Sequence, residues 1–293
     1  MRVRGRITAF FRGDGRVHAD DDGASGSLVC VGLGITLGAH LSPRARSHIE
    51  QADVVFVVVS EPLAELWLQE MHADVRSLQP CYAHGKSRHK TYREMVEAML
   101  VEVRAGKRVC GAFYGHPGVF ALAPHEAIAQ ARSEGFAAHM EPGISAEDCL
   151  YADLGIDPGR LGCQHFEASQ YMFYKRRTDL SAYLILWQIG IAGDRSLTRF
   201  SVGSAHVQVL VDVLAEDYPL DHPVTLYEAA TLPIAEPRMH TLALGELPTA
   251  ALSLHSTLVV PPLTTLQPNH AVIARLQALE RASLPVSITE GES

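Results

Sequence analysis

Cysteine, tryptophan and aromatic residues as a class are scarce in this chain: five, two and 7%. The cysteines, Cys30, Cys81, Cys110, Cys149 and Cys163, are odd in number and widely spaced, with no CxxC pair. That excludes a disulfide framework and a cysteine zinc site. Most of them lie in apolar runs and read as small buried hydrophobes. Fifteen histidines are present, but no HExxH or other regular ligand spacing, and His125-Glu126 stands alone. No metal site is expected. No apolar run is long enough to span a bilayer. The start, MRVRGRITAFF, is basic but has too short an apolar stretch for a secretory signal, so a cytoplasmic protein is expected. Positive charge is also in deficit. A net charge of −8 argues against a broad nucleic-acid footprint and leaves only a local basic stretch at Lys86–Arg93.

What is present is core material. Of 293 residues 47% are apolar and 20% charged, which suits one large or two medium folded domains. Residues 1–26 end in DDDGASG and read as a tail or linker. From residue 27 strands and helices alternate. SLVCVGLG reads as a buried strand entering a glycine turn. Ser42-Pro43 opens a helix, Ser as N-cap and Pro at the first helical position. VVFVVV, from Val54, suits a parallel strand covered on both faces. A helix follows around Leu63–Met71. Tyr92, Met95, Val96, Met99, Leu100 and Val103 form one helical stripe, closed near Gly106. The strands RVCGAFYG and AAHME flank a helix over about Pro124–Ser133.

A second unit begins at Ser145, where Ser145 and Asp148 make a capping-box variant and Gly155 ends the helix. Later strands are expected at His165–Met172, Tyr183–Ile191, Val224–Ala230, Arg238–Ala243 and Leu252–Val260, and helices at Ala205–Leu214 and 270–282. The fold class is therefore α/β in two domains, with a mostly parallel N-terminal sheet (27–143) and a mixed C-terminal sheet with flanking helices (144–262). Residues 263–293 would add a helix and tail.

Gly32-Leu33-Gly34 with Gly38 superficially resembles a dinucleotide fingerprint. Its spacing is GxGxxxG, and the helix starts only at Ser42, too far away to aim its amides at a pyrophosphate. Glu61 is a weak mimic of the ribose-binding acid.

Four longer stretches carry a more specific signal: FYGHPGVF (113–120), MEPGISAEDCLYADLGIDPG (140–159), FEASQYM (166–172) and LWQIGIAG (186–193). The chain as a whole resembles the tetrapyrrole-methylase (class III methyltransferase) fold. Within it, these stretches resemble the borosin peptide α-N-methyltransferases, over roughly residues 27–265. The resemblance implies S-adenosylmethionine folded between two domains. It places the cofactor near Tyr114, His116, Val119, Phe120, Ser145 and Ala146, with Gln188, Tyr227, Ala229 and Ala230 as further candidates. Gly115 and Gly118 would permit close backbone approach, and Pro142-Gly143-Ile144-Ser145 would offer free amides at a helix start.

Tyr82, Arg88 and Tyr92, in YAHGKSRHKTY, together with Tyr114 resemble the catalytic set of that family. Backbone amide methylation needs the proton removed, the imidate oxygen stabilised and the nitrogen aligned. Tyr92 is assigned as general base, with Arg88 favouring its phenolate. Tyr82 and Tyr114 would orient the amide or donate to its oxygen. Ordinary structural readings stand beside these: Arg88 as a solvated surface residue, Tyr92 as the first core residue of its stripe, Tyr114 as a buried strand-end aromatic. His84, Lys86, His89 and Lys90 read as solvated loop residues.

Fused borosin enzymes carry an apolar core peptide C-terminally. Here RLQALERASLPVSITEGES is short and charged, and LPVSI is its one apolar island. The expectation is a split enzyme acting on a separate precursor peptide, as a homodimer, with no nucleic-acid or membrane partner. Two other readings remain open: a class III small-molecule (tetrapyrrole-type) methyltransferase, and a non-catalytic peptide-binding partner.

Overall fold

The computed structural model describes residues 26–59, 62–83 and 85–283. The readings of the N-terminal tail (residues 1–25), of Glu61, of His84 and of Leu284–Ile288 lie outside the described residues. Nine of the described elements build the N-terminal half. They are β1 (Ser27–Gly32), α1 (Pro43–Gln51), β2 (Val54–Val58), α2 (Pro62–Met71), β3 (Val75–Ser77), α3 (Arg88–Arg104), β4 (Arg108–Phe113), α4 (Leu122–Ser133) and β5 (Ala137–Glu141). The five strands are all parallel, in the order β3-β2-β4-β1-β5.

β2 shows why this sheet is covered on both sides. Val54, Phe56 and Val58 face Met95, Met99 and Leu100 of α3, while Val55 and Val57 face Ile49 of α1 and Leu68 of α2. The β-branched run thus alternates between two cores at the strand period of two. Cys30 and Cys110 are fully buried within these layers. All five cysteines are free.

The second half comprises α5 (Ala146–Leu154), α6 (Pro158–Leu161), β6 (Cys163–Glu167), α7 (Ala168–Phe173), β7 (Tyr183–Trp187), α8 (Ser204–Leu214), β8 (Pro223–Glu228), β9 (Arg238–Ala243), β10 (Thr257–Val260) and α9 (His270–Ser283). Its sheet runs β6-β7-β10-β8-β9. Only β6 and β7 pair in parallel, so the sheet is mixed. No helix among the described residues is long and apolar enough to cross a membrane.

The expected caps form. Ser42 Oγ accepts from Ala45 N at 3.1 Å, and Ser145 with Asp148 completes the capping box at α5. Three strands are shorter than expected. β6 stops at Glu167 because its carboxylate accepts from Gln170 N at 2.8 Å and starts α7, so FEASQYM is half strand and half helix. β7 stops at Trp187 because Gln188 turns left-handed at φ 59°. β10 starts only at Thr257, after a turn in which Ser253 N donates to Ser256 Oγ at 2.7 Å. β3 and α6, both very short, had no periodicity to announce them.

Candidate active site at the junction of the two sheets

The loops after β1, β4 and β5 meet backbone to backbone. A Cβ on Gly32 would fall 2.5 Å from Gly115 O and 2.6 Å from Gly143 Cα; one on Gly143 would fall 2.4 Å from Gly115 O. Only hydrogen fits at Gly32 and Gly143. The glycine turn therefore serves close packing. Its amides are not free for a phosphate: His40 Nδ1 accepts from Ile35 N and Thr36 N at 3.3 and 3.2 Å. Two further contacts tie this turn to the second half. Leu37 N donates to Thr231 O at 2.8 Å, and Thr36 Oγ1 donates to Ala230 O at 2.9 Å.

The cofactor candidates divide into three groups. In the first, the GHPG loop is folded on itself: His116 Nδ1 accepts from Gly118 N at 2.9 Å. Its end presents Val119 and Phe120 with 37% and 47% of their surface exposed, an unusual position for apolar side chains flanking a packed loop. Phe120 is left-handed at φ 51° and packs across the junction on Trp187, ring centroids 5.7 Å apart. In the second, Ser145 is buried and Ala146 half-buried at the start of α5. The expected free amide at Ser145 is not available there. Both Ser145 N and Ser145 Oγ donate to Asp148 Oδ2 at 2.7 Å. With Glu147 and Asp148 in the first turn, this end suits a cationic group better than a carboxylate. In the third, Gln188, Ala229 and Ala230 are half-buried, whereas the Tyr227 side chain is fully buried and donates its hydroxyl to Asp153 at 2.7 Å. Tyr227 is thus a core residue whose side chain is already engaged.

The catalytic candidates are brought together from three segments. Tyr82 follows a single 3-10 turn after β3, Tyr114 follows β4 with its N–H on Val58 O at 3.0 Å, and Arg88 and Tyr92 sit one turn apart at the start of α3. Burial first, then the neighbouring Tyr92 and Tyr114 hydroxyls, raise the Tyr82 phenol well above the ordinary tyrosine range. Arg88 pulls the other way, and Tyr92 lies within hydrogen-bonding reach. Tyr114 is raised for the same first reason and by Tyr92, again opposed by Arg88. Tyr114 keeps 40% of its surface exposed while standing deep in the fold, as the wall of a recess does. It lines a narrow pocket with Leu33, Ile35, Trp67 and Thr231. A groove of about 720 Å³ between α3 and α4 is lined by none of these candidates.

Two positioning groups went unseen in the sequence. Lys86 is not a solvated loop residue: its side chain is 18% exposed and its ammonium bridges the Cys81 carbonyl to Glu94, clamping the Tyr82 loop to α3. Arg88 N donates to Leu197 O at 3.0 Å, and its guanidinium donates to Arg199 O at 3.0 Å. The segment supplying those carbonyls is organised by buried Asp194, which accepts from Ser196 N, Thr198 N and Arg199 N at 2.9 to 3.1 Å. An Asp followed by Ser and Thr at two and four residues is an Asx-turn signal that was open to reading. Its target, Arg88, lies far away in the chain.

Residues 27–247 match the sequence profile of the Tetrapyrrole (Corrin/Porphyrin) Methylases, and the chain belongs to that family. The family is one of S-adenosylmethionine-dependent methyltransferases. The chain is 40% identical over 265 residues to a methyltransferase/ribosomally synthesized cyclic peptide gymnopeptides precursor from Gymnopus fusipes, covering 89% of this chain and 63% of that protein. It is 38% identical to the corresponding omphalotin A precursor from Omphalotus olearius, covering 89% and 64%. It is 42% identical to a type I borosin cyclic peptide precursor from Coprinopsis marcescibilis, covering 81% and 62%. The chain thus spans less than two thirds of the length of each. Among solved structures, a cobalt precorrin-4 methyltransferase superposes with a TM-score of 0.59 at 18% identity, covering 83% of this chain and 98% of that one. A uroporphyrin-III-C-methyltransferase from Thermus thermophilus gives 0.57 at 21%, covering 84% and 99%. At such identities these two show the fold alone.

The residues at the junction fit the cofactor. Trp187, packed on Phe120, leaves its buried indole Nε1 without a hydrogen-bond partner. Phe120 and Gln188, one from each half, both hold the costly left-handed conformation. Exposed apolar side chains, an unsatisfied donor and an acidic helix start together suit a partly apolar, cationic ligand.

Proposed function

We propose that this enzyme methylates backbone amide nitrogens of a ribosomally made peptide. The observation that carries the reading is the convergence of Tyr82, Arg88, Tyr92 and Tyr114 beside the cofactor loops. A corrin or porphyrin carbon nucleophile has no evident need for three phenols and a guanidinium. An amide nitrogen does, because its lone pair is delocalised and its proton very weakly acidic.

S-adenosylmethionine supplies an electrophilic methyl group. Tyr92 takes the amide proton, and the fixed charge of Arg88 opposes the charge developing on the amide oxygen. Tyr82 and Tyr114, with phenols raised by burial, remain protonated at neutral pH. They serve as hydrogen-bond donors to that oxygen. Val119, Phe120 and Trp187 exclude water at the mouth, and Gln188, Ala229 and Ala230 contribute from the second half.

The peptide class is supported by the relatives, whose names join a methyltransferase to a cyclic peptide precursor. Two narrower proposals go with it. The peptide is delivered as a separate precursor chain, and the enzyme works as a homodimer. The second is supported by α9, where Val272, Ile273 and Leu276 share one side with 41 to 53% of their surfaces exposed. The test mixes purified enzyme, S-adenosylmethionine and a candidate precursor peptide, then weighs both chains by mass spectrometry. Methyl-sized increments mapped to backbone nitrogens of the added peptide are expected. Increments on the enzyme's own chain would replace the separate precursor with self-methylation. Transfer only to tetrapyrroles would replace the peptide reading.

A further inference from the structure

On the far edge of the first sheet, away from the tyrosine cluster, three side chains converge on one carboxylate oxygen. His139 and Glu141 are two residues apart on β5 and so share a face. His48 comes from the last turn of α1. His139 Nε2 lies 3.3 Å and His48 Nε2 lies 3.8 Å from Glu141 Oε1. One donor atom from each residue lies within 4.8 Å of the others. The two imidazoles stand edge to face at 5.3 Å. Glu141 is 8% exposed, an uncommon setting for a carboxylate that no catalytic role explains.

We propose that His48, His139 and Glu141 form a site for one divalent transition metal ion of the zinc class. A tetrahedral ion with bonds of about 2.0–2.1 Å separates its ligand atoms by about 3.3–3.4 Å. The His139–Glu141 pair already stands at that distance and the His48–Glu141 pair closes with a shift of a few tenths of an ångström, while the two histidine nitrogens, within 4.8 Å of one another, close by rotation of an imidazole. Two imidazoles and a carboxylate suit zinc, cobalt or nickel rather than calcium or magnesium, which prefer oxygen alone. A fourth position stays open to water.

The site has a competitor. Arg44, one turn before His48, donates to the same Glu141 oxygen at 3.0 Å. Its side chain is 74% exposed, so releasing it to water costs little. Metal and Arg44 exclude one another at this oxygen, which predicts modest affinity in the native chain and tighter binding without the arginine. The sequence hid this set because one ligand lies about ninety positions from the other two, and no local spacing marks it.

The test uses untagged, chelator-stripped full-length protein titrated with cobalt(II), read by visible ligand-field absorption, then displaced with zinc(II). One saturable equivalent is expected. His48→Ala and His139→Ala should each weaken zinc binding at least about tenfold, and Arg44→Gln should tighten it several-fold, all with unchanged circular dichroism. If Glu141→Ala fails to fold, the near-isosteric Glu141→Gln is the variant to compare. A cobalt band that never saturates at one equivalent would overturn the proposal. So would one that survives undiminished when both histidines are replaced; the cluster would then be a hydrogen-bonded charge group only.

Discussion

Tyr82 and Tyr114 hold their protons for a reason that does not involve the substrate: each is desolvated, and each faces another phenol. Arg88 opposes this without reversing it. We propose the remaining tyrosine of the cluster, Tyr92, as the general base. Tyr92→Phe should lower kcat by about 10²- to 10⁴-fold, the usual contribution of a positioned base. Cofactor binding by calorimetry and the melting temperature should stay as in the parent; an active Tyr92→Phe enzyme would remove the assignment. Asp194 is a positioning residue, since it reaches the chemistry only through the carbonyls that hold Arg88. Asp194→Ala should reduce kcat on the order of 10²-fold with a smaller change in KM, the cost of a misplaced group. The same split of kcat from KM should appear in Arg88→Lys. Asp194→Asn, which keeps one accepting oxygen, should fall between. A loss of melting temperature with kcat unchanged would make Asp194 merely structural. The tyrosines and Arg88 were legible because they lie in motifs. Asp194 and Lys86 were not, because their importance depends on what they touch.

At the scale of elements, the three strand-end loops are held at backbone contact by Gly32, Gly115 and Gly143. Gly143→Ala should force the β5 loop away from Gly115 O. Loss of about 1–3 kcal/mol by denaturant unfolding is expected, the range for overpacking, with cofactor affinity lost in parallel. Native stability and affinity in that variant would contradict the packing role. The paired strands β1 and β4 carry a second prediction. Burial pushes the Cys110 thiol from 9.0 up to about 12. The folded state thus binds this proton more tightly than the unfolded one. Its stabilising effect is complete below pH 9 and is lost progressively between pH 9 and about 12, at up to about 1.4 kcal/mol per pH unit. Melting curves across that window should fall more gently in Cys110→Ala. β2 and α3 were readable because their periodicities are long and unbroken. α7 was not, since FEASQYM was read as part of one strand, His165–Met172, and the cap that Glu167 supplies turns its second half into helix.

At the scale of the whole molecule, the two-sheet architecture was visible in the order of runs and turns. The junction was not. It is made by segments distant in the chain, Thr36 and Leu37 with Ala230 and Thr231, and Arg88 with Leu197 and Arg199. No pattern within either segment announces the other. The open apolar side of α9 belongs to this scale too. Ile273→Asp with Leu276→Asp should convert a dimer to a monomer in light scattering, while a parent chain that is monomeric at working concentration would end the homodimer proposal. The central claim is the peptide amide. It is tested most directly by fragment mass spectrometry on a candidate precursor peptide incubated with S-adenosylmethionine and either the parent enzyme or Tyr92→Phe. The account predicts methyl groups on backbone nitrogens with the parent and none with the variant. Methyl groups on side chains or tetrapyrrole carbons alone, or equal transfer by both proteins, would contradict it.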